Sequence, residues 1–293
     1  MGRSGYSRVT TDADGAAHVE LSDTHPGASD PVYRARRDKL ASLAAGWKPG
    51  DAIPSPEYSD EEHEVWQVVC RSLEGLHEEC AAESYLGGKE VLRLPDDHVP
   101  HLDEVSGGLA PVAAFRYQPV AGLAVVRDFY GSFADGVFWS TQYLRHPSVP
   151  LYTPEPDIIH EVIGHANQLA DPVFAHIYRL VGDAVRRTTG EEALRFLSQV
   201  FWFTMEFGVV EERGEARAYG AGILSSPGEA AAFRAATVRP VDLVEMGTVD
   251  YDISHYQPLL YGFSSAAQLE DTLVDFYARF DDHYHRRLLA KAG

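Results

Sequence analysis

The sequence predicts a mainly α-helical fold, one domain of packed helices with a few short β-strands. Three observations carry that prediction. Apolar residues recur at helical spacing over several stretches that open on capping residues. Stretches with strand chemistry are short and are broken by glycine, serine and proline. No internal repeat and no change of composition marks a boundary after residue 30. With 293 residues and 45% hydrophobic content, the chain can bury a substantial core.

In order, residues 1–30 are rich in Gly, Ser, Thr and Asp and poor in large apolar side chains. They cannot bury enough surface to offset the entropy of ordering, so residues 1–26 are expected to form a flexible arm and 27–293 the domain. A short helix is predicted over 31–46, with Gly46 and Pro49 as stop signals. Ser59 to Glu62 form a capping box, behind which Trp66, Val69, Leu73 and Leu76 share one face of a charged helix. A helical piece opened by Pro100 follows. Residues 119–133 read as a loop, a short strand or both, and 138–146 have aromatic, β-forming character. Three helices come next. One is capped by Asp157. The second starts at Asp171-Pro172 and places Phe174, Ile177, Tyr178 and Val181 on one face. The third, about 191–207, is apolar nearly all round and so predicted to be buried, with Glu206 inside it. Residues 213–228 switch to strand-and-turn chemistry, 239–263 read as irregular, and an amphipathic helix over 266–291 closes the chain.

The net charge of -19 argues against a nucleic-acid or anionic-membrane surface, since both need clustered Lys and Arg. Two cysteines, Cys70 and Cys80, fit the thiols of a reducing compartment and exclude a disulfide framework. No signal-peptide core and no 18-residue apolar run is present, so a soluble, cytoplasmic protein without a membrane partner is expected.

The stretch Thr153 to His165, TPEPDIIHEVIGH, carries the chemistry. His160 and His165 are candidate metal ligands, with Glu161 directly after the first. A zinc peptidase of the H-E-x-x-H kind spaces its histidines by four. Here the gap is five, about 140° around a regular helix, so the helix must end or distort to bring both rings to one ion, which Gly164 would permit. Glu206 in its apolar helix needs a partner, because a buried carboxylate is costly unless paired or metal-bound. Two histidines and one carboxylate make the facial triad of non-haem Fe(II) oxygenases, but zinc accepts the same donors.

TPEPDIIHEVIGH, together with FWFTMEFG (201–208) and AYGAGILSSPGE (218–229), resembles the catalytic domain of the tetrahydropterin-dependent aromatic amino acid hydroxylases. DPVYRARR (30–37), PVAGL (119–123), TQYLRH (141–146) and YQPLLY (256–261) follow in family order, so the resemblance spans roughly 27–285. It implies the family's mainly α-helical catalytic domain, with Fe(II) on His160, His165 and Glu206. It further implies that Arg145 binds the substrate carboxylate, a role suited to its bidentate fork. Thr153 and Ser225 would support the amino-acid end of the substrate, Pro156 and Trp202 would wall the ring pocket, and Ser226 lies beside them. Phe129 would stack on the pterin, Leu123 and Val126 would line the same slot, Glu161 would stand near the pterin, and Tyr251 would approach on a loop. The reaction implied is a monooxygenation in which Fe(II), dioxygen and the reduced pterin supply an oxidant that attacks the ring. The partners are small molecules, an aromatic amino acid and a tetrahydropterin.

The chain also departs from the family. Animal members carry a regulatory domain and an oligomerisation helix that have no counterpart here, so a constitutively active monomer, or a dimer, is expected. Val125-Val126 replace serines on the pterin side, and Trp139 replaces a histidine. Phe201-Trp202 resembles the phenylalanine and tyrosine enzymes, and Ile253 stands where tyrosine hydroxylases have Asp. L-Phenylalanine is therefore favoured over tryptophan and tyrosine, and the 4-position over the 3-position as the commoner family outcome. Two readings from other classes are a zinc hydrolase on the same three ligands, with Glu161 as base, and an inactive small-molecule binding protein.

Overall fold

The computed structural model describes residues 6–12, 16–252 and 255–292. A hairpin, β1 (Arg8–Thr11) and β2 (Ala17–Glu20), leads into α1 (Pro31–Gly46). The Asp30 side chain accepts from the Val32 and Tyr33 amides, and Pro31 sits at the first helical position. Next come α2 (Asp60–Cys80), opened by the predicted Ser59/Glu62 capping box, then α3 (Glu83–Leu92) and α4 (Leu102–Ala113). Strands β3 (Arg116–Pro119) and β4 (Val137–Ser140) pair in parallel across α5 (Val126–Ser132). A π-helical segment, His160–Ala166, runs into α6 (Asn167–Leu169), followed by α7 (Pro172–Arg187) and α8 (Glu191–Phe201). A second π-helical segment, Trp202–Glu206, ends α8.

The last third holds β5 (Val209–Glu212), β6 (Glu215–Ala218), α9 (Ala221–Leu224), α10 (Pro227–Ala232), β7 (Thr237–Pro240), α11 (Leu243–Thr248) and β8 (Leu259–Phe263). These strands form one sheet in the order β6-β5-β8-β7. Helices α12 (Ala266–Arg279) and α13 (Asp282–Ala292) close the chain. The single closing helix expected is two, because Phe280 leaves the helix with extended backbone and buries its ring against Phe196 and Phe276. The stretch 119–133 also differs from expectation, since its second half is α5.

The core is one apolar cluster, and its densest part is aromatic. Phe133, Phe138, Tyr178 and Phe201 are fully buried and pack edge-to-face, stacked or tilted at centroid separations of 5.1 to 6.4 Å. Burying a ring of this kind stabilises the fold by about 1.5–3 kcal/mol. These rings lie under the metal-donor pair, since Phe138 is 4.9 Å from the His165 ring. The rigid floor of the site is thus the core itself.

The amino-terminal arm is not loose where it is described. Ala17 and Val19 are buried and pack on Ala41 of α1 with Val9, Leu21 and Ala121. Asp38 and Ser42 of α1 accept the Val19 and Ala17 amides. Small residues escape a reading that looks only for large apolar side chains, because alternate burial of Ala and Val suffices once α1 offers a face. Residues 1–5 and 13–15 of the expected arm lie outside the described residues.

Candidate active site

The five-residue spacing of the histidines is explained by the backbone. In a π-helix each amide bonds the carbonyl five residues back, and the wider turn brings residues five apart much closer to one face than a regular α-helix does. His160 and His165 lie within such a segment, and Glu206 ends the other, where Phe207 N–H donates to Trp202 O at 2.9 Å. Gly164 serves differently from expectation. The chain does not break there. A Cβ at Gly164 would stand 2.8 Å from the Ala221 carbonyl oxygen, so glycine lets α9 press against the histidine-bearing turn.

The three donors come together. His160 Nε2 and His165 Nε2 are 3.1 Å apart, and the Glu206 oxygens lie 3.6 and 3.2 Å from them. One donor atom from each residue lies within 4.8 Å of the other two. Burial holds the His160 pKa down at about 4, with His165 adding to the effect against the pull of Glu206. Burial works to raise the Glu206 pKa, but the facing His165 and His160 rings outweigh it and hold the carboxyl below its usual range. Both directions leave His160 and Glu206 deprotonated at neutral pH, the form a cation requires.

The far sides of both rings are also fixed. His165 Nδ1 is 2.6 Å from the Tyr178 hydroxyl, which donates to Gln168 Oε1 at 2.5 Å. Gln168 Nε2 donates to the Met205 and Tyr219 carbonyls, so its amide orientation is set by two acceptors. With Tyr178 donating onward, its oxygen accepts from His165 Nδ1–H, and the Nε2 lone pair faces Glu206. His160 Nδ1 meets Ser225 Oγ at 2.9 Å. Such outer partners orient metal-binding imidazoles and set their tautomer.

Arg145 is buried against Asp157 through two side-chain hydrogen bonds of 2.9 Å, and Asp157 also accepts the Arg145 and His160 amides. One aspartate therefore positions both the guanidinium and the first histidine. The Arg145, His160 and backbone contacts hold its carboxyl below its usual range, although burial alone would raise it. Thr153 folds back within its own loop, donating to the Glu155 carbonyl at 2.5 Å. Pro156 accepts from the Tyr143 hydroxyl. Ser225, expected near the substrate, turns its hydroxyl to His160. Ser226 caps α10 by accepting the Glu229 amide at 3.3 Å.

Trp202 is half-buried between Phe207 and Tyr251, the latter stacked on it at 4.3 Å and 10°. Phe129 stands edge-on to Phe133 and Phe138, one ring removed from His165. Val126 packs beside it on the core, whereas Leu123 is 44% exposed on the loop before α5. Glu161 is buried with its carboxyl pushed well above the usual range, by burial first and then by the charges of Glu206 and Asp157. Ile253 lies outside the described residues.

Three positioning residues escape a reading of the sequence. Asp157 reads only as a helix cap, and Tyr178 only as part of an apolar face. Gln168 gives no signal. A hydroxyl on an otherwise apolar buried stripe is the one available clue for Tyr178, since such a group needs a partner.

A family described as biopterin-dependent aromatic amino acid hydroxylase matches residues 11–288 of this chain. Phenylalanine 3-hydroxylase of Streptomyces coeruleorubidus is 47% identical over 262 residues, covering 89% of this chain and 94% of that protein. Phenylalanine-4-hydroxylase of Dictyostelium discoideum is 40% identical over 267 residues, covering 89% of this chain and 60% of that protein. The chain thus spans about three fifths of the longer relative. Among solved structures, the Chromobacterium violaceum phenylalanine hydroxylase with bound iron(III) and 7,8-dihydrobiopterin superposes with a TM-score of 0.73 at 28% identity. That match covers 80% of this chain and 89% of the other. The cold-active phenylalanine hydroxylase of Colwellia psychrerythraea gives 0.75 at 29% identity, covering 83% and 93%.

Proposed function

This chain belongs to the biopterin-dependent aromatic amino acid hydroxylases, and on that premise we propose that it is an iron- and tetrahydropterin-dependent monooxygenase that hydroxylates the ring of L-phenylalanine. The convergence of His160, His165 and Glu206, with both imidazoles oriented from behind, is the observation that carries the reading. The donors alone would also take zinc. The similarity to an iron-bound hydroxylase supports iron. When bound, the iron, the reduced pterin and dioxygen supply the oxidant.

The protein's part is to hold and orient. Arg145, its fork fixed by Asp157, takes the substrate carboxylate, with Thr153 near the amino-acid end. Pro156 and Trp202 wall the ring, and Ser226 borders them. Ser225 acts through His160 rather than on the substrate. Phe129 offers a face to the pterin, with Val126 and Leu123 lining the slot. Glu161, kept neutral by burial, stands beside it as a hydrogen-bond donor or acceptor. Tyr251 covers Trp202 and shields the pocket from water. A monomer or a dimer fits this arrangement. No helix among the described residues is long and apolar enough to cross a membrane, and two free thiols fit a cytoplasmic setting.

The sequence alone favours position 4 of the ring. The 47% identity to a 3-hydroxylase along nearly the whole of both chains moves the preference to position 3, giving meta-tyrosine. Anaerobic loading with Fe(II), then addition of tetrahydrobiopterin, dioxygen and L-phenylalanine, tests the reading. The products are resolved by chromatography against ortho-, meta- and para-tyrosine. Meta-tyrosine as the dominant product supports the proposal, para-tyrosine restores position 4, and turnover only with tryptophan or tyrosine reassigns the substrate. No pterin oxidation with any of the three amino acids overturns the hydroxylase reading.

A further inference from the structure

The segment before the first strand reaches the site. Ser7 donates to Glu155 twice, its amide to Oε2 at 2.8 Å and its hydroxyl to Oε1 at 2.9 Å. Glu155 is buried, bonded to Arg37 at 2.8 Å, and directly precedes Pro156 and Asp157. The ring wall and the arginine's partner are therefore tied, through one carboxylate, to the seventh residue of the chain. Two residues on, Val9 presses on the loop before α5. A Cβ at Gly122 would stand 2.4 Å from Val9 Cγ2, so glycine is required for that approach. Tyr6, the residue before Ser7, is half-buried. Residues 6–10 precede the stretch that the family match covers.

We propose that Ser7 completes the wall of the substrate pocket from behind, fixing the 153–157 loop through Glu155, so that this segment sets how the aromatic amino acid is held. The inference rests on the hydroxylase reading above. Ser7 would be a positioning residue, acting through Glu155 on the loop that carries Pro156 and Asp157. The hairpin behind it, anchored to α1 by Asp38 and Ser42, keeps the segment in place.

Ser7→Ala and Ser7→Thr, made in the full chain and loaded with Fe(II), are compared with the parent protein. Ser7→Ala is expected to raise KM for L-phenylalanine by about fivefold while kcat changes by no more than about threefold. Ser7→Thr, which keeps a hydroxyl for Glu155, should stay near the parent. Calorimetric titration of L-phenylalanine into the Co(II)-loaded proteins should show the same loss of affinity without turnover. Ser7→Ala should speed hydrogen exchange of the amides in 153–158, a readout that needs no substrate. Unchanged KM and affinity in Ser7→Ala, or an unaltered exchange rate there, overturn the wall. A parent protein that turns over none of the three amino acids overturns the hydroxylase reading instead, and the exchange measurement still decides the wall.

Discussion

The metal pocket and the amino-terminal wall press on the same stretch, residues 153–165, from opposite sides and by different means. On the metal side every donor ring is backed by a side chain in the buried core. Tyr178 and Gln168 stand behind His165, and Ser225 behind His160. On the wall side a single serine and a valine hold a short strand against two loops. The difference teaches where tolerance lies. Donor geometry must hold within tenths of an ångström, so it is set by the packed core and by two π-helical segments. The seat of the substrate is built from loops and an edge strand, whose residues can change without unsettling the ligands.

The largest effect that would sharpen this contrast is at the metal. Glu206→Ala removes the only anionic donor of the three, and hydroxylation is expected to fall by more than about 100-fold, beyond the loss typical of an outer partner. Iron content after dialysis should fall with it. Asp157→Ala comes next, because it leaves the buried Arg145 without its partner. It should destabilise the fold by about 3–5 kcal/mol, a fall in Tm on the order of 10 °C, and raise KM for the amino acid. A Tm within a degree or two of the parent would show that Arg145 finds another partner or water. Tyr178→Phe keeps the ring packed but removes the hydroxyl behind His165. Metal affinity should weaken by roughly 10–100-fold, read by competition with a chelator, with little change in KM for the amino acid.

Much of this architecture is legible in the sequence, and the limits are physical. The capping box at Ser59 and the Asp171-Pro172 start are local signals satisfied by neighbours in the chain, so they survive folding unchanged. The three donors are legible because a buried acid and two close histidines demand an explanation. What the pattern cannot show is geometry set at a distance. The histidine-bearing π-helical turn lies against the α9 backbone at Gly164, 57 residues from Ala221 along the chain. Ser225 and Asp157 change meaning for the same reason, as their partners are fixed by tertiary contact. The hairpin is missed because its buried residues are small, and its value as a wall depends on Glu155, which reads in the sequence only as an acid between two prolines.

The smallest expected effect tests the electrostatics inside the pocket. Glu161 is buried and Glu206 half-buried, yet one is pushed up and the other held down, because only Glu206 faces the two imidazoles. Glu161 should then be neutral at pH 7, and Gln is nearly its isostere. Glu161→Gln is expected to retain hydroxylation within about threefold at pH 7, with any change falling in KM for the pterin. The pH dependence supplies the sign. A carboxyl whose folded pKa is raised gives stability that is complete below the unfolded value near 4.5 and is lost as pH rises through the folded one. The metal-free Glu161→Gln protein should therefore gain on the parent as pH rises from 5 to about 9 in thermal melts. A variant that loses ground at high pH would mean that Glu161 is ionised and paired in the folded protein. The contrast between the two acids would then be lost.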